Sequence, residues 1–292
     1  MKTKAIRSLD GYVDFVQKEC SRVETCLFRG QYDDWPLLPK IGRQEIMSEF
    51  HDKILPVEQK IFNDFKRRSR PFLNEIERPH NDWDWLALAQ HYGLATRLLD
   101  WTSNPLAAIW FAVNKHWSIN SEIGVVWVLS PGNDNFVKNE TEENLFKQKT
   151  TKVFQPTHIS KRIMSQAGWF TVHACLDSKK FIPLNKNTRF IRRLIKLAIP
   201  FQYSFEIKKQ LARCGINEVS LFQDLVGLCK DINMPFLDQY HIKLYFKKHK
   251  EMKLDEKERD NLWREFEETR RELIMHLKKE KGRGKVGGHL RN

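Results

Sequence analysis

Apolar residues recur at two different spacings along the chain, and these spacings predict both helices and strands. A spacing of three to four residues is typical of an amphipathic helix, and short runs of β-branched and aromatic residues are typical of buried strands. Helices are thereby predicted at 8–19, 43–70, 81–90, 106–114, 204–214 and 219–232, and strands at 23–28, 124–129, 168–176 and 194–199. No regular strand–helix–strand repeat runs through the chain, which favours an α+β fold over a doubly wound sheet.

The helix predicted at 106–114 is apolar on nearly every side. Such a helix is expected to be buried, because no face of it suits water. Its start is marked by Ser103 or Asn104 as the N-cap and by Pro105 at the first helical position. This segment therefore predicts the centre of a hydrophobic core.

A different pattern begins after Pro235. Between 237 and 277, an apolar stripe runs along one face of a long, charged helix, and we expect that stripe to dock on the domain or on a second copy of the chain. Residues 278–292 carry six basic residues, one acidic residue and four glycines, which predicts a flexible tail. The predicted organisation is a domain at 1–236, a charged helical segment at 237–277 and a basic tail at 278–292.

Charge points to an anionic partner but does not identify it. The chain of 292 residues has 50 Lys and Arg against 37 Asp and Glu, a formal net charge of +13. Of this charge, +5 lies in residues 237–292 and +8 in the remainder. The tail can bind phosphates of a nucleic acid, or it can be a solvated terminus without a partner.

Several classes are excluded or disfavoured by composition. The longest apolar run, Leu106–Val113, is far shorter than the ~20 residues that cross a bilayer, and the N-terminus lacks an apolar signal segment, so we expect a cytoplasmic protein without a membrane span. The five cysteines form no C-x-x-C pair and are expected to be reduced and mostly buried. The ten histidines show no metal-ligand spacing, so no metal site is predicted.

Three polar clusters are candidates for chemistry. Arg29 ends the first predicted strand and is followed by Gly30. The segment 91–102 places a His, a Tyr, an Arg, an Asp and a Trp directly before the apolar helix, where buried polar groups must find partners. If 97–100 is extended, Arg97 and Asp100 point to opposite faces and each needs its own partner. The third cluster is 162–171, in which Gln166 precedes a strand.

Together these segments resemble the FRG domain over roughly residues 10–232. The resemblance is carried by Phe28-Arg29-Gly30, by Gln90-His91-Tyr92-Gly93-Leu94-Ala95-Thr96-Arg97-Leu98-Leu99-Asp100-Trp101-Thr102, by Asn104-Pro105 with Ala107, Phe111 and Ala112, by Arg162-Ile163, by Gln166-Ala167-Gly168-Trp169-Phe170-Thr171, by Gly215-Ile216 and by Leu221-Phe222-Gln223-Asp224-Leu225. The chain departs from the family pattern at Ala95 and Gln223, where the family has proline. Both departures are expected to change loop stiffness more than chemistry.

The order of these residues is also similar to the arginine, serine or threonine, and glutamate pattern of ADP-ribosyltransferases. This resemblance implies a mixed or antiparallel sheet core with flanking helices. It also implies NAD as the substrate, with Arg29 on a phosphate or ribose hydroxyl. It further implies Thr102 or Ser103 on the nicotinamide ribose and Tyr92 or Trp101 against the nicotinamide ring. Arg97 is counted among the NAD-binding residues.

Gln166 stands where the transferase pattern has glutamate. A neutral amide positions groups by hydrogen bonds but cannot take a proton, so His91 or Asp100 is an alternative acid or base. Taken together, the resemblance and these residue types predict Arg29, His91, Thr102 and Gln166 as the catalytic residues.

Three interpretations follow from the sequence. The first is an NAD-consuming ADP-ribosyltransferase or NAD glycohydrolase that modifies nucleic acid or protein, with a role in phage defence or a toxin system implied by the resemblance alone. The second is a binding module that uses the same cleft and the basic tail for a nucleotide or nucleic acid. The third is a scaffold in which Arg97, Asp100, His91 and Gln166 satisfy one another inside the core.

Overall fold

A computed structural model describes most of the N-terminal part of the chain. The described residues are 2–43, 54–73, 78–114, 123–138, 140, 143–157, 165–176 and 180–234. The predictions for Arg162, Ile163, the helix at 237–277 and the tail at 278–292 lie outside them. Residues 1–223 form one compact unit, and residues 224–292 form a second. The structure describes the second unit as far as residue 234, with residues 225–234 helical.

Seven of the strands in the described residues form one mixed sheet, which confirms the predicted α+β class. The strands are β1 Lys2–Ala5, β2 Leu27–Gln31, β3 Leu98–Thr102, β4 Ile123–Leu129, β5 Lys152–Phe154, β6 Gly168–Val172, β7 Cys175–Leu176, β8 Lys180–Phe181 and β9 Leu194–Pro200. The order across the large sheet is β1-β9-β4-β2-β3-β6-β5, with β1 parallel to β9 and the other neighbours antiparallel. β7 and β8 form a separate two-stranded sheet.

Six α-helices have defined bounds within the described residues. They are α1 Leu9–Cys20, α2 Ile54–Ser69, α3 Asp82–His91, α4 Pro105–Val113, α5 Ser204–Arg213 and α6 Glu218–Phe222. Short 3-10 turns connect the elements at Lys40–Gly42, Arg70–Phe72, Asn133–Asn135, Leu145–Lys147, Leu184–Lys186, Ile191–Arg193 and Phe201–Tyr203. The predicted helix at 43–70 is described only from Ile54 onward.

Capping residues explain where the helices next to the site begin. Asn104 accepts hydrogen bonds from the backbone N–H groups of Leu106 and Ala107 at 2.9 and 3.2 Å, so it is the N-cap of α4, and Pro105 follows it as predicted. Asn81 caps α3 by accepting from the Asp84 N–H at 2.8 Å. α3 ends at His91 with Tyr92 as its C-cap, and the next residue is Gly93, whose φ of 89° is reached easily by glycine.

Strand β4 is buried on both faces, which accounts for its continuous apolar sequence. Val126 and Val128 pack in a cluster with α1, α4 and α5, whereas Val125 and Trp127 pack in a second cluster with Leu37, Leu184 and Phe190. The alternation follows from the two-residue repeat of a strand. A third cluster joins α2 and α3 to β3, β5 and β6. The sheet therefore has apolar layers on both sides.

Two predictions about local structure were wrong or incomplete. Cys20 and Cys26 form a disulfide, because the turn after α1 brings their Cα atoms to 5.8 Å, so these cysteines are not reduced thiols. Cys175 is partly buried, while Cys214 and Cys229 are exposed rather than buried. Strands β1, β3, β5 and β8 were not predicted. β1, β5 and β8 are only two to four residues long, and the apolar sequence of β3 is interrupted by Asp100.

Candidate functional site

A cleft opens in the sheet where β2 and β3 separate. β2 is paired with β4 at five positions from Leu27 to Gln31, but it is paired with β3 only at Phe28 and Thr102. Beyond this point the two strands diverge and leave a cavity of about 420 Å³. The lining residues are Phe28, Arg29, Gly30, Gln90, His91, Gly93, Asp100, Trp101, Thr102, Phe111, Gln166, Gly168 and Phe170.

Arg29 reaches the cavity from β2 and is held by β3. Its Nη1 donates to the backbone carbonyl of Asp100 at 2.8 Å and lies 3.5 Å from Asp100 Oδ2. The Arg29 side chain is 15% exposed, and within the described residues its buried Nε has no hydrogen-bond partner. Burial lowers the pKa of Arg29 from its ordinary value, and the Asp100 charge partly opposes this shift. The Asp100 carbonyl therefore fixes Nη1, while Nε is a buried donor without a partner.

Asp100 is the carboxylate among these lining residues. It lies at the centre of β3 between buried neighbours, with its own side chain 55% exposed. Gln90 Nε2 donates to Asp100 Oδ2 at 3.1 Å, and Thr96 Oγ1 donates to Gln90 Oε1 at 2.6 Å. The end of α3 is thereby joined to the strand that carries the carboxylate.

Thr102 and Gln166 also line the cavity, and the Thr102 side chain contacts the Gln166 backbone. The Thr102 hydroxyl donates to the backbone carbonyl of Gln166 at 2.5 Å and accepts from the Asn104 N–H at 2.9 Å. Gln166 Nε2 donates to the backbone carbonyl of Leu221 at 3.1 Å. Both side chains therefore stabilise the turn before β6. The Thr102 hydroxyl has one hydrogen to donate, and the Gln166 carbonyl accepts it.

The backbone turn that follows Gln166 is unusual. Ala167 adopts a φ of 46°, which is uncommon for a residue with a Cβ, and its carbonyl accepts from the Ser103 N–H at 3.2 Å. Ser103 itself is exposed and is not among the lining residues. Its backbone, rather than its hydroxyl, thus contributes to the site.

Aromatic residues form much of the wall. Trp101 is buried, and its Nε1 donates to Thr171 Oγ1 at 3.0 Å. Phe111 of α4 and Phe170 of β6 also line the cavity. Tyr92 is 66% exposed, packs edge-on against the His91 ring and does not line the cavity. His91 does line it.

Arg97 lies away from the cavity in the core. It is 0% exposed, and its Nε and Nη2 donate to the Glu58 carboxylate on α2 at 3.0 and 2.5 Å. Its guanidinium also packs near the rings of Phe146 and Phe181. Arg97 and Asp100 thus have separate partners, as the extended backbone required, and Arg97 is not placed to bind a cofactor in this cleft.

The structure therefore brings together Arg29, His91, Trp101, Thr102 and Gln166, and it does not bring Tyr92, Arg97 or Ser103 to the lining. Gln90, Phe111 and Phe170 were missed as lining residues, although all three belong to the segments that carry the family resemblance. Asp100, which the sequence offered as an alternative acid or base, also lines the cavity. No simple sequence signal identifies such residues, because their placement depends on where β2 and β3 separate.

Neither a metal cluster nor a spanning helix is found in the part of the chain that the structure describes. No three or more His, Cys, Asp or Glu side chains converge there in a way that could hold a metal ion. In the same residues, no helix combines the length and apolarity needed to cross a bilayer.

Comparison with known proteins identifies one family. The family model of the FRG domain matches residues 24–121, which confirms the resemblance to this family. The match includes Arg29, Gln90, Asp100 and Thr102 of the cavity, whereas Gln166 lies outside it. No curated protein and no solved structure matches the chain. The similarity to ADP-ribosyltransferases stays a prediction.

Proposed function

We propose that the cleft binds NAD and that the protein cleaves its nicotinamide–ribose bond, as an ADP-ribosyltransferase-like or NAD glycohydrolase-like enzyme. The observation that supports this most is the convergence of Arg29, His91, Thr102 and Gln166 on one cavity of about 420 Å³. Cavities of this order bind small molecules in many proteins. The four residues are separated by up to 137 positions in the sequence.

In this proposal Arg29 anchors the diphosphate or a ribose hydroxyl of NAD. Its Nη1 is fixed by the Asp100 carbonyl, and its buried Nε has no partner within the described residues. A guanidinium with a fixed orientation suits an anionic oxygen, because several of its donors point in one plane. Low exposure strengthens such a contact, since less water screens the charge.

Asp100 supplies the carboxylate that Gln166 lacks. When the glycosidic bond breaks, its electron pair passes to the nicotinamide nitrogen and positive charge develops on the ribose ring. Asp100 stabilises that charge. Water or an acceptor hydroxyl then forms the new bond to the ribose carbon and loses its proton to Asp100 or His91. The products of hydrolysis are nicotinamide, ADP-ribose and one proton.

Thr102 and Gln166 have supporting roles in this reaction. The Thr102 hydroxyl donates its one hydrogen bond to the Gln166 carbonyl, so any further hydrogen bond that it forms is as an acceptor, for example from a ribose hydroxyl. Gln166 Nε2 is bound to the Leu221 carbonyl. Trp101, Phe111 and Phe170 supply apolar wall for the nicotinamide ring.

The test is release of nicotinamide from NAD by the full chain. We expect turnover by the wild type and a loss of about 100-fold or more in Arg29→Ala and in Asp100→Asn. The first variant lacks the charge that anchors NAD, and the second lacks the carboxylate that stabilises the ribose cation. Arg22→Ala is the matched control, since Arg22 is 61% exposed and pairs only loosely with Glu19 at 3.9 Å. Equal nicotinamide release from the wild type and Arg29→Ala would overturn the proposal.

A binding module without turnover is the second candidate. It is favoured by the use of Thr102 and Gln166 in backbone contacts and by the ion pair between Asp100 and Arg29. Calorimetry would then show ADP-ribose or NAD bound by the wild type and not by Arg29→Ala, without nicotinamide release. Binding of nucleic acid is measured at increasing salt and with residues 278–292 removed. An affinity that falls steeply in both cases would show that the tail binds nucleic acid.

A further inference from the structure

We propose that Gln90 and Thr96 are positioning residues that hold the Asp100 carboxylate in its reactive orientation. This inference rests on the proposed function, because it concerns the carboxylate that would stabilise the developing ribose cation. The Gln90 side chain lies between the other two, with hydrogen bonds of 2.6 Å to Thr96 and 3.1 Å to Asp100.

The direction of each hydrogen bond follows from the chemistry of the groups. An ionised carboxylate can only accept, so the Gln90 atom that faces Asp100 Oδ2 must be the NH2 group. The amide oxygen of Gln90 then faces Thr96, and the Thr96 hydroxyl must donate to it. The Leu98 N–H donates to the same hydroxyl at 3.1 Å. Thr96 Oγ1 therefore accepts one hydrogen bond from the backbone and donates another to Gln90.

The origin of this chain of hydrogen bonds is rigid. Thr96 is 0% exposed, and the Leu98 N–H that fixes its hydroxyl lies at the start of a strand in the core. Gln90 lies in the last turn of α3, whose preceding residues are buried. Asp100, in contrast, is 55% exposed and would adopt several rotamers without a partner. The core therefore supplies the orientation that the strand alone does not.

The contacts also define which carboxylate oxygen is available. Both Gln90 Nε2 and Arg29 Nη1 approach Oδ2 of Asp100, at 3.1 and 3.5 Å. Within the described residues no hydrogen bond to Oδ1 is found. The geometry assigns Oδ2 to positioning and leaves Oδ1 for the ribose cation or the proton of the acceptor.

The kinetic test compares single and combined variants in the full chain. Gln90→Leu and Thr96→Val should each lower kcat for nicotinamide release about ten- to a hundred-fold with a smaller change in KM, since a misplaced group slows chemistry more than binding. Thr96→Ser keeps the hydroxyl and should restore most of the rate. Gln148→Leu is the control, because that half-buried glutamine does not line the cavity and its Nε2 donates to the Asn144 carbonyl.

The decisive comparison uses Asp100→Asn as the background. If Gln90 acts through the carboxylate, Gln90→Leu should cause little further loss in the Asp100→Asn protein. A further loss by the same factor as in the wild type would overturn the inference. Melting temperatures of all variants are measured first, and Thr96→Ser keeps the test decisive if Thr96→Val does not fold.

A second readout does not depend on NAD turnover. In ¹H–¹⁵N spectra, the Gln90 side-chain amide signals should shift in Asp100→Ala and in Thr96→Val and stay in place in Thr96→Ser. Unshifted signals in the first two variants would overturn the positioning role even if the wild type cleaves NAD. Shifted signals without any nicotinamide release would support the hydrogen bonds and reject the proposed function.

Discussion

Gly30 of β2 lies directly against the backbone carbonyl of Ala108 in α4. A Cβ at position 30 would stand 1.8 Å from that oxygen and 2.8 Å from the Phe111 Cβ. The helix therefore packs on the strand at a distance that only glycine allows. Because Arg29 precedes Gly30 and Phe111 lines the cavity, this contact sets the width of the cleft as well as the packing of the core.

Gly30→Ala is expected to lower the free energy of unfolding by about 3 kcal/mol or more, because neither backbone can move without disturbing the sheet. Urea denaturation measures this change. Gly11→Ala is the matched control. A Cβ at position 11 would stand 3.2 Å from the Ser8 hydroxyl, which caps α1, and the helix gains alanine's higher propensity, so the variant should be close to neutral. Similar stability of Gly30→Ala and wild type would contradict the close packing of α4 on β2.

Removing one partner of the buried Glu58–Arg97 pair should be strongly destabilising. The two side chains are 1% and 0% exposed, so Arg97→Met leaves an unpaired carboxylate in the core, at a cost of about 3–5 kcal/mol. The combined Glu58→Leu and Arg97→Met variant should recover part of this loss. The exposed pair of Arg22 and Glu19 is the comparison, with an expected effect below about 1 kcal/mol for Arg22→Met.

Stability should fall in acid through His173. Burial lowers the pKa of His173 from 6.5 to about 3, so the imidazole is neutral in the folded protein and becomes charged on unfolding. Between these two pH values the unfolded state binds one more proton, and stability falls as the pH is lowered, by about 1.4 kcal/mol per pH unit.

Denaturation of the wild type and of His173→Gln between pH 7 and pH 4.5 isolates this contribution, because the other groups are common to both proteins. The wild type should lose stability relative to the variant as the pH falls below about 6.5. A constant difference across this range would show that His173 is not buried in the neutral form.

Ala167→Gly should stabilise the turn between Thr102 and β6. Ala167 has a φ of 46°, a left-handed conformation that costs a residue with a Cβ about 1–2 kcal/mol, against a smaller entropic cost for glycine in the unfolded chain. We expect a net gain of about 0.5–1 kcal/mol in thermal or urea unfolding. Ala167→Val should be destabilised, and Ala174→Gly, at a position without positive φ, should lose stability.

Much of the fold could be predicted because it depends on local patterns. The apolar run of α4, with Asn104 and Pro105 at its start, predicted a buried helix, and that helix lies at the centre of one core cluster. The two-faced burial of β4 follows from its continuous apolar sequence. Strands β1 and β5 were missed because their pairing with β9 and β6, rather than their own residues, makes them strands.

The candidate site was only partly predictable. Arg29, His91, Trp101, Thr102 and Gln166 were chosen from motifs, and the structure places them on one cavity. Arg97 belonged to the same motif, but its partner Glu58 lies 39 positions earlier on α2, and no local pattern links the two. The pairing of Cys20 with Cys26 was likewise missed, since the turn that joins α1 to β2 brings them together.

The sequence by itself determined the α+β class, the buried helix, the family resemblance and the residue types available for chemistry, because periodicity, capping and motifs are local properties. Only the tertiary structure decided which of these residues share a cavity. That outcome depends on β2 and β3 meeting at Phe28 and Thr102 and then separating, and on the Gly30 contact that fixes α4 beneath them. Such relationships join positions more than 70 residues apart, so no single segment contains them.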